Sequence, residues 1–380
     1  MVVDLKESRA KIDEIDKEIV RLFEERMEVA TDVAAYKRST GKKVLDPARE
    51  EEKINALTAL TDNEFNKMAV EELFRQIMSI SRKYQYKELG SETDAKLLFK
   101  QVDELDVDKD TRVVCFGEHG AFAEQAMEEV FGKDITAINK QTFKEVIETV
   151  ANGEAKYGVI PIENTTTGGI ADIYDLLPEY DISIVAEHDV KAEQTLLGIK
   201  GTKIEDIRTV YSHPQGILQC AKFLEEHDYM TGKSYYSTSG SAKKVAEDGD
   251  MTQAAIASKK AGEVFGLEVI KESINDESEN YTRFIVISNQ KIFLSKANKI
   301  SLLFEIKHQA GSLYNMLANF YYNDLNLTKI ESRPIENKTW EYRFFVDIEG
   351  NLNDPAVSNA LACINEYAGK VYVLGNIMTK

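Results

Sequence analysis

Arg9, Arg26 and Lys37 fall in the gaps of one helical apolar stripe, at spacings of three and four from Leu5, Ile12, Ile15, Ile19, Leu22, Val29 and Val33. Cations facing the interior of a helix bundle are costly unless something anionic neutralises them. Two readings stand side by side: an anionic substrate lies among them, or they snorkel and pair with Glu or Asp of other helices. Asp46-Pro-Ala-Arg49-Glu50 places another arginine and more carboxylate at a helix start, and Ser81 and Gln85 lie one turn apart further on. A second group of segments is rich in hydroxyl and amide side chains at strand ends. These are Pro161 to Gly169 (with Glu163, Asn164, Thr165, Thr166 and Thr167), Tyr211-Ser212-His213-Pro214-Gln215, Ser237-Thr238-Ser239 and Thr282-Arg283-Phe284. Such groups can orient a polar substrate, or they can simply cap helices.

The elements that must hold these residues change character along the chain. Residues 4–88 contain no glycine except Gly41 and no proline except Pro47. Their periodicity predicts a first helix of roughly 34 residues, a turn at Ser39-Thr40-Gly41, a second helix opened by Pro47, and a third over about 63–88. So long a helix with so few partners cannot bury its stripe alone, and pairing with a second subunit is expected. Residues 91–110, acidic and weakly periodic, read as a linker with at most one short helix. Over 111–290, strands such as RVVCFG, KYGVIPIEN, ISIVAEHDV, TVYS, KSYYS, QAAIAS and RFIVIS alternate with helices, which predicts an α/β unit with its sites at strand ends. Over 298–380 the order strand, helix, strand, strand, helix, strand predicts a ferredoxin-like α+β unit.

Composition limits what these units can do. With 380 residues, two or three domains are expected, and 43% hydrophobic with 29% charged residues is ordinary for a globular chain. The net charge of −18 disfavours nucleic-acid binding, and a site for a dicarboxylate must gather arginines against that field. The start MVVDLKESRA has no leader pattern, no window resembles a membrane span, and three scattered cysteines fit a reducing cytoplasm without structural zinc. A cytoplasmic protein without metal or cofactor is the expectation.

The helical segment resembles the all-helical chorismate mutase family over residues 4–88. The family's arginine near the start of the first helix matches Arg9, its mid-helix arginine Arg26 and its lysine at the helix end Lys37. Its D-x-x-R-E motif matches Asp46, Arg49 and Glu50, and its S-x-x-x-Q pair matches Ser81 and Gln85. The resemblance implies a Claisen rearrangement of chorismate to prephenate, which needs no nucleophile, only a compact substrate and charge stabilisation at the breaking ether oxygen. Arg26 and Arg49 would clamp the carboxylates within a subunit, with Arg9 reaching across a dimer. Lys37 and Gln85 would hydrogen-bond the ether oxygen, and Glu50 or Asp46 would receive the substrate hydroxyl.

Residues 112–288 resemble prephenate dehydratase. T-R-F stands intact at Thr282, Arg283 and Phe284, Ile160 to Thr165 carry the P-I-E-N-T motif, and S-H-P-Q matches at Ser212 to Gln215. The opening loop departs from the family, with Ala121 and Ala123 where hydroxyl residues are usual, so it is left outside the catalytic set. The resemblance implies loss of carbon dioxide and hydroxide from prephenate to give phenylpyruvate. Thr282 would donate to the leaving oxygen, and Arg283 would serve a carboxylate or hold its loop. Asn164, Thr165, Ser212, Gln215, Ser237 and Thr238 would orient the substrate, with His213 the alternative acid.

Residues 299–375 resemble an ACT regulatory domain, through Glu331-Ser332-Arg333-Pro334 and the turn Ala310-Gly311-Ser312-Leu313. The resemblance implies feedback inhibition by phenylalanine bound at a dimer interface, and a chain cut after Gln290 should be active but insensitive. Two other readings were weighed: a periplasmic-type ligand receptor, and a monofunctional dehydratase whose helices serve only as a dimerisation arm. No G-x-G-x-x-G fingerprint follows a strand, which disfavours a dinucleotide-dependent partner activity.

Overall fold

The computed structural model describes residues 4–42, 44–89, 98–306, 308–309, 311–335, 338, 340–368 and 370–379. Helix α1 (Leu5–Thr40) is capped by the Asp4 carboxylate, which accepts from the Lys6 and Glu7 amides. It ends at Gly41, whose φ of +67° is the left-handed geometry of a helix stop. Helix α2 (Pro47–Thr58) starts on Pro47, with Asp46 accepting from the Arg49 amide at 3.1 Å. Helix α3 (Glu64–Leu89) then returns along α1.

The apolar stripe of α1 is not a core within one chain. Its members at positions 5, 12, 15, 19, 22, 29 and 33 remain 40–60% exposed. The buried positions of α1 are Ala30 and Ala34, flanked on the same face by the half-buried Arg26 and Lys37. Small residues let the helix backbones approach, and the two cations lie at either end of that contact. At its far end α3 packs on the C-terminal unit: Val44 and Tyr86 cluster with Cys363, and the Lys83 ammonium sits 3.3 Å from the centroid of the Tyr322 ring.

Residues 91–97 of the expected linker lie outside the described residues. The rest of that segment is docked: Phe99 is buried, and strand β1 (Lys100–Val102) pairs in parallel with residues 292–294. Alternation of apolar side chains over so short a strand is too brief to be read from sequence. The first lobe of the α/β unit contains β2 (Arg112–Phe116), α4 (Phe122–Phe131), β3 (Thr136–Lys140), α5 (Phe143–Ala151), β4 (Tyr157–Asn164), β5 (Gly168–Gly169), α6 (Ala171–Leu176) and β6 (Ser183–Lys191). The chain then crosses to a second lobe: β7 (Thr195–Gly198), β8 (Thr209–Ser212), α7 (Pro214–Leu218), α8 (Ala221–Glu226), β9 (Thr231–Ser234), α9 (Thr238–Asp248), β10 (Gln253–Ala257), α10 (Lys259–Phe265) and β11 (Glu268–Lys271). It returns through β12 (Tyr281–Ser288), which enters the first sheet antiparallel between β4 and β6 and gives the order β3-β2-β4-β12-β6. The second lobe's order is β11-β7-β10-β8-β9. Strands β3, β7 and β11 were not anticipated, and β9 lies slightly ahead of the expected KSYYS.

After β13 (Ile292–Leu294) comes β14 (Lys299–Glu305), α11 (Ser312–Tyr321), β15 (Leu327–Pro334), β16 (Tyr342–Glu349), α12 (Pro355–Tyr367) and β17 (Lys370–Ile377). The sheet order β15-β16-β14-β17, antiparallel throughout, is the ferredoxin-like arrangement expected. This unit is not a separate bead. Ile160, Ile162, Ile285 and Ile287 of the first lobe share one core with Leu303, Phe345, Leu374 and Ile377. A Cβ on Gly375 would lie 2.0 Å from the Ile184 carbonyl oxygen, so only glycine permits that approach of β17 to β6. Cutting the chain after Gln290 therefore uncovers apolar strand residues, and a loss of stability must accompany any loss of regulation.

Candidate active sites

In the helical unit the polar residues marked by sequence converge from three helices. Arg26 Nη1 donates to Ser81 Oγ at 2.6 Å, and Lys37 Nζ donates to Gln85 Oε1 at 3.2 Å and to the Val44 carbonyl at 2.5 Å. Burial lowers the Arg26 pKa, opposed by the nearby Glu50 carboxylate. The arrangement gathers cations where a dianion could enter.

Three members of the expected set stand elsewhere. Asp46 is committed to the Arg49 amide as a helix cap, which leaves Glu50 the better-placed carboxylate for a substrate hydroxyl. Arg49 is exposed and bridges Glu52 at 2.7 Å. Arg9 is exposed on α1, 17 residues from Arg26, which at about 1.5 Å per residue puts it some ~25 Å along the helix. It cannot join this cluster from the same chain. One residue was missed: Arg82, buried on α3, pairs with Glu50. The S-x-x-x-Q spacing marks Ser81 and Gln85 and carries no signal for the residue beside Ser81.

The dehydratase-like site is built on strand ends. Asn164, last residue of β4, sits opposite Thr282 of β12. Its Nδ2 donates to Thr282 Oγ1 at 3.0 Å, to Asn280 Oδ1 at 2.8 Å and to the Tyr281 carbonyl at 3.1 Å, while its Oδ1 accepts from Thr166. A hydroxyl has one hydrogen and two lone pairs. With Asn164 occupying a lone pair, the Thr282 hydroxyl keeps its hydrogen for donation to another acceptor. Thr165 braces the turn by donating to the Glu279 carbonyl and accepting from the Tyr281 amide. Facing them from the second lobe, Gln215 reaches Thr167 at 3.3 Å and Gln219 reaches Thr166 at 3.5 Å. Thr166, Thr167 and Gln219 thus belong to the cleft although the sequence reading left them out of the site.

Other expected members have structural work. The Ser212 hydroxyl, fully buried, donates to the Ile256 carbonyl. Ser237 caps α9 by accepting from the Gly240 amide, and Thr238 is the first residue of that helix. Phe284 is buried in the core beneath α4. His213 Nδ1 accepts from the Gln215 amide at 3.3 Å, a capping contact at the start of α7, and burial holds its pKa below the ordinary imidazole value.

Strand alternation separates the T-R-F motif onto two faces. Thr282 and Phe284 face the α4 side. Arg283 faces the C-terminal unit, held by Asp189 through two hydrogen bonds of 2.9 and 3.0 Å, with Glu163 and Glu187 each 3.9 Å away. The Asp189 hydrogen bonds raise the Arg283 pKa, and those same bonds lower that of Asp189. Of its two proposed roles, holding the strand end fits this face. Lys329 of β15 joins the same group, 2.7 Å from Glu163. Lys299 pairs with Glu187. Arg283, Glu163, Glu187 and Lys329 line a small cleft between the two sheets with Tyr174, Ser301 and Asp347.

On β15, Glu331 and Arg333 are half-buried, and Ser332 and Pro334 exposed. Arg333 makes two hydrogen bonds to Asp175, at 2.6 and 3.1 Å. Gly311 precedes α11 with φ of +78°, and Ser312 and Leu313 open that helix. Ala310 lies outside the described residues.

A helical unit that gathers cations and a two-lobed α/β unit with a hydroxyl–amide cleft define a protein with two separate polar sites on unlike folds. Residues 8–86 match the family of chorismate mutase type II, and residues 113–292 match prephenate dehydratase. The bifunctional chorismate mutase/prephenate dehydratase of Aquifex aeolicus is 31% identical over 373 residues, covering 98% of this chain and 97% of that protein. The chain belongs to the bifunctional chorismate mutase/prephenate dehydratase family. Among solved structures, a prephenate dehydratase in complex with L-Phe from Arthrobacter aurescens is 28% identical with a TM-score of 0.66, over 71% of this chain and 90% of that one. A protein described as GqqA, a novel type of quorum quenching acylase, is 29% identical with a TM-score of 0.66, over 71% of this chain and 98% of that one. Fold alone therefore does not fix the chemistry of the α/β unit. No described helix is long and apolar enough to cross a membrane.

Proposed function

We propose that chorismate is rearranged among Arg26, Lys37, Glu50, Ser81 and Gln85, that prephenate is dehydrated beside Asn164 and Thr282, and that phenylalanine bound to an ACT-type C-terminal unit inhibits the second step. The observation that carries the reading is the pair of polar clusters: a cationic one suited to a dicarboxylate, and a hydroxyl–amide one suited to a leaving hydroxyl. In the first, Arg26 holds a carboxylate while Lys37 and Gln85 stabilise charge on the ether oxygen as its bond breaks. In the second, the Thr282 hydroxyl donates a hydrogen bond to the oxygen that departs as hydroxide, and aromatisation of the ring drives carbon dioxide out. An acylase reading of the cleft is disfavoured because the Ser212 hydroxyl is committed to a backbone carbonyl.

The protein is placed in the cytoplasm as a homodimer in which Arg9 enters the partner's mutase site, and the exposed stripe of α1 and the edge strand β15 support the pairing. Phenylalanine would use the Gly311 turn and the Glu331–Pro334 strand, a reading supported by the L-Phe in the Arthrobacter aurescens structure. Its effect would travel through Lys329, two residues before Glu331, to Glu163, the neighbour of Asn164. The test is to follow chorismate through prephenate to phenylpyruvate with and without phenylalanine. Both steps should proceed, and only the formation of phenylpyruvate should fall on addition of phenylalanine; a chain inert to either substrate, or indifferent to phenylalanine, would refute the corresponding part.

A further inference from the structure

We propose that Arg82 is a positioning residue of the mutase site, holding Glu50 and supplying the positive charge that offsets it, a role that neither the sequence resemblance nor the family match marks. The inference rests on the mutase site placed above.

On α3, Ser81, Arg82 and Gln85 are all buried. The outer two receive Arg26 and Lys37, and the middle one reaches across to Glu50 at the start of α2. An arginine this deeply buried needs a carboxylate or an equally strong acceptor, and the Arg82 side chain is only 7% exposed. Arg49, the arginine that spacing assigns to this place, is turned to solvent with Glu52. The charge balance then has a definite sign. Counted within one chain, Arg26, Lys37 and Arg82 against Glu50 leave two positive charges for a substrate with two carboxylates, before any contribution of Arg9 across the proposed dimer. Without Arg82 one positive charge of the chain remains, and Glu50 keeps only the nearby Arg26 to offset it where a dianion must enter. A carboxylate there is useful for a substrate hydroxyl only if its repulsion of the substrate is cancelled locally.

Because both carboxylates persist from substrate to transition state, loss of Arg82 should act mainly on binding. In the full chain, Arg82→Met should raise the KM for chorismate about 10-fold with a smaller fall in kcat, and Arg82→Lys should recover most of it. Dehydratase turnover on added prephenate, unchanged, serves as the folding control. The sign-specific test adds Glu50→Gln. Arg82→Met/Glu50→Gln restores two positive charges and should bind chorismate more tightly than Arg82→Met alone. It should bind several-fold more weakly than Glu50→Gln alone, which carries three. That second comparison stands even if Arg82→Met by itself fails to fold. A KM unmoved by Arg82→Met together with a lowered melting temperature would make the pair a structural brace only and overturn the proposal. So would equal KM values for Glu50→Gln with and without Arg82. Should Arg26→Ala retain full mutase activity, the site itself is misplaced; normal Arg82 variants beside a dead Arg26→Ala sink this inference alone.

Discussion

The two catalytic units of this chain finish their cores in different ways. Helix α1, 36 residues long, buries only Ala30 and Ala34 within the chain, while strand β4 buries nearly every residue it has. The α/β unit is closed on both faces of its main sheet, by α4 on one side and by the C-terminal sheet on the other. The helical unit ends in an apolar stripe that the chain leaves exposed and that the proposed dimer would cover. On that proposal one site is set by contacts within a polypeptide and the other would be completed by an assembly. Their chemistry differs in the same sense: cations brought together by helix packing, against hydroxyl and amide groups fixed by hydrogen bonds at strand ends.

Substitutions that affect one region and spare the other sharpen this contrast. The largest effect is expected for Arg26→Ala, which should abolish mutase turnover while phenylpyruvate still forms from added prephenate; loss of both activities in a folded chain would show that the two sites are not independent. Replacing Ile15 and Ile19 together by Asp places charge in the uncovered stripe. Sedimentation should then report monomer, with mutase activity lost and dehydratase activity kept, because in the proposed dimer only the first site would borrow Arg9 from a partner. A mutase that survives as monomer would remove Arg9 from the mechanism.

Thr282→Ala should lower dehydratase turnover on the order of 10²-fold, the scale for a lost proton-transfer or oxyanion-type donor, with the mutase untouched. Near-normal turnover would remove Thr282 and promote His213. A gentler change, Lys329→Met, breaks the 2.7 Å pair with Glu163. Burial pulls the Lys329 pKa down, but Tyr174 and Glu163 outweigh it, so the ammonium is charged in this contact. Basal dehydratase activity should stay within about 2-fold and phenylalanine should still bind by calorimetry, while inhibition weakens by about 5-fold or more, an ordinary coupling. Unaltered inhibition would route the signal elsewhere.

The smallest effect belongs to His213→Asn, which preserves a helix-capping side chain. Dehydratase turnover at pH 7–8 should change by less than about 2-fold. Burial holds the folded His213 pKa below its ordinary value of 6.5. Its contribution to stability is therefore present above that value and declines as pH falls through it toward the lowered folded value. Melting curves of the variant should lose part of their acid-side decline. A turnover that drops strongly, with an altered pH profile, would make the imidazole a catalytic acid after all.

Periodicity and punctuation alone determined the three helices, because α1 carries its own cap at Asp4, its own stop at Gly41 and a Pro47 start for α2. They also determined the strand character of β4, β10 and β12, whose apolar runs admit little else, and the βαββαβ order of the C-terminal unit. The short motifs located both clusters, since Arg26 with Ser81 and Asn164 with Thr282 meet across 55 and 118 residues. What a stripe buries, by contrast, depends on which surface is offered to it. The residues most apolar on α1 proved to be those left uncovered, and Arg26, Ala30, Ala34 and Lys37 face α3. The direction of Arg283 away from Thr282 follows from pleat alternation, but its meaning came only when β14 and β15 placed Lys299 and Lys329 behind it. Arg82 was likewise invisible, because a buried cation is recognised by the carboxylate that meets it. That carboxylate, Glu50, lies 32 residues away on another helix, and only tertiary packing brings the two together.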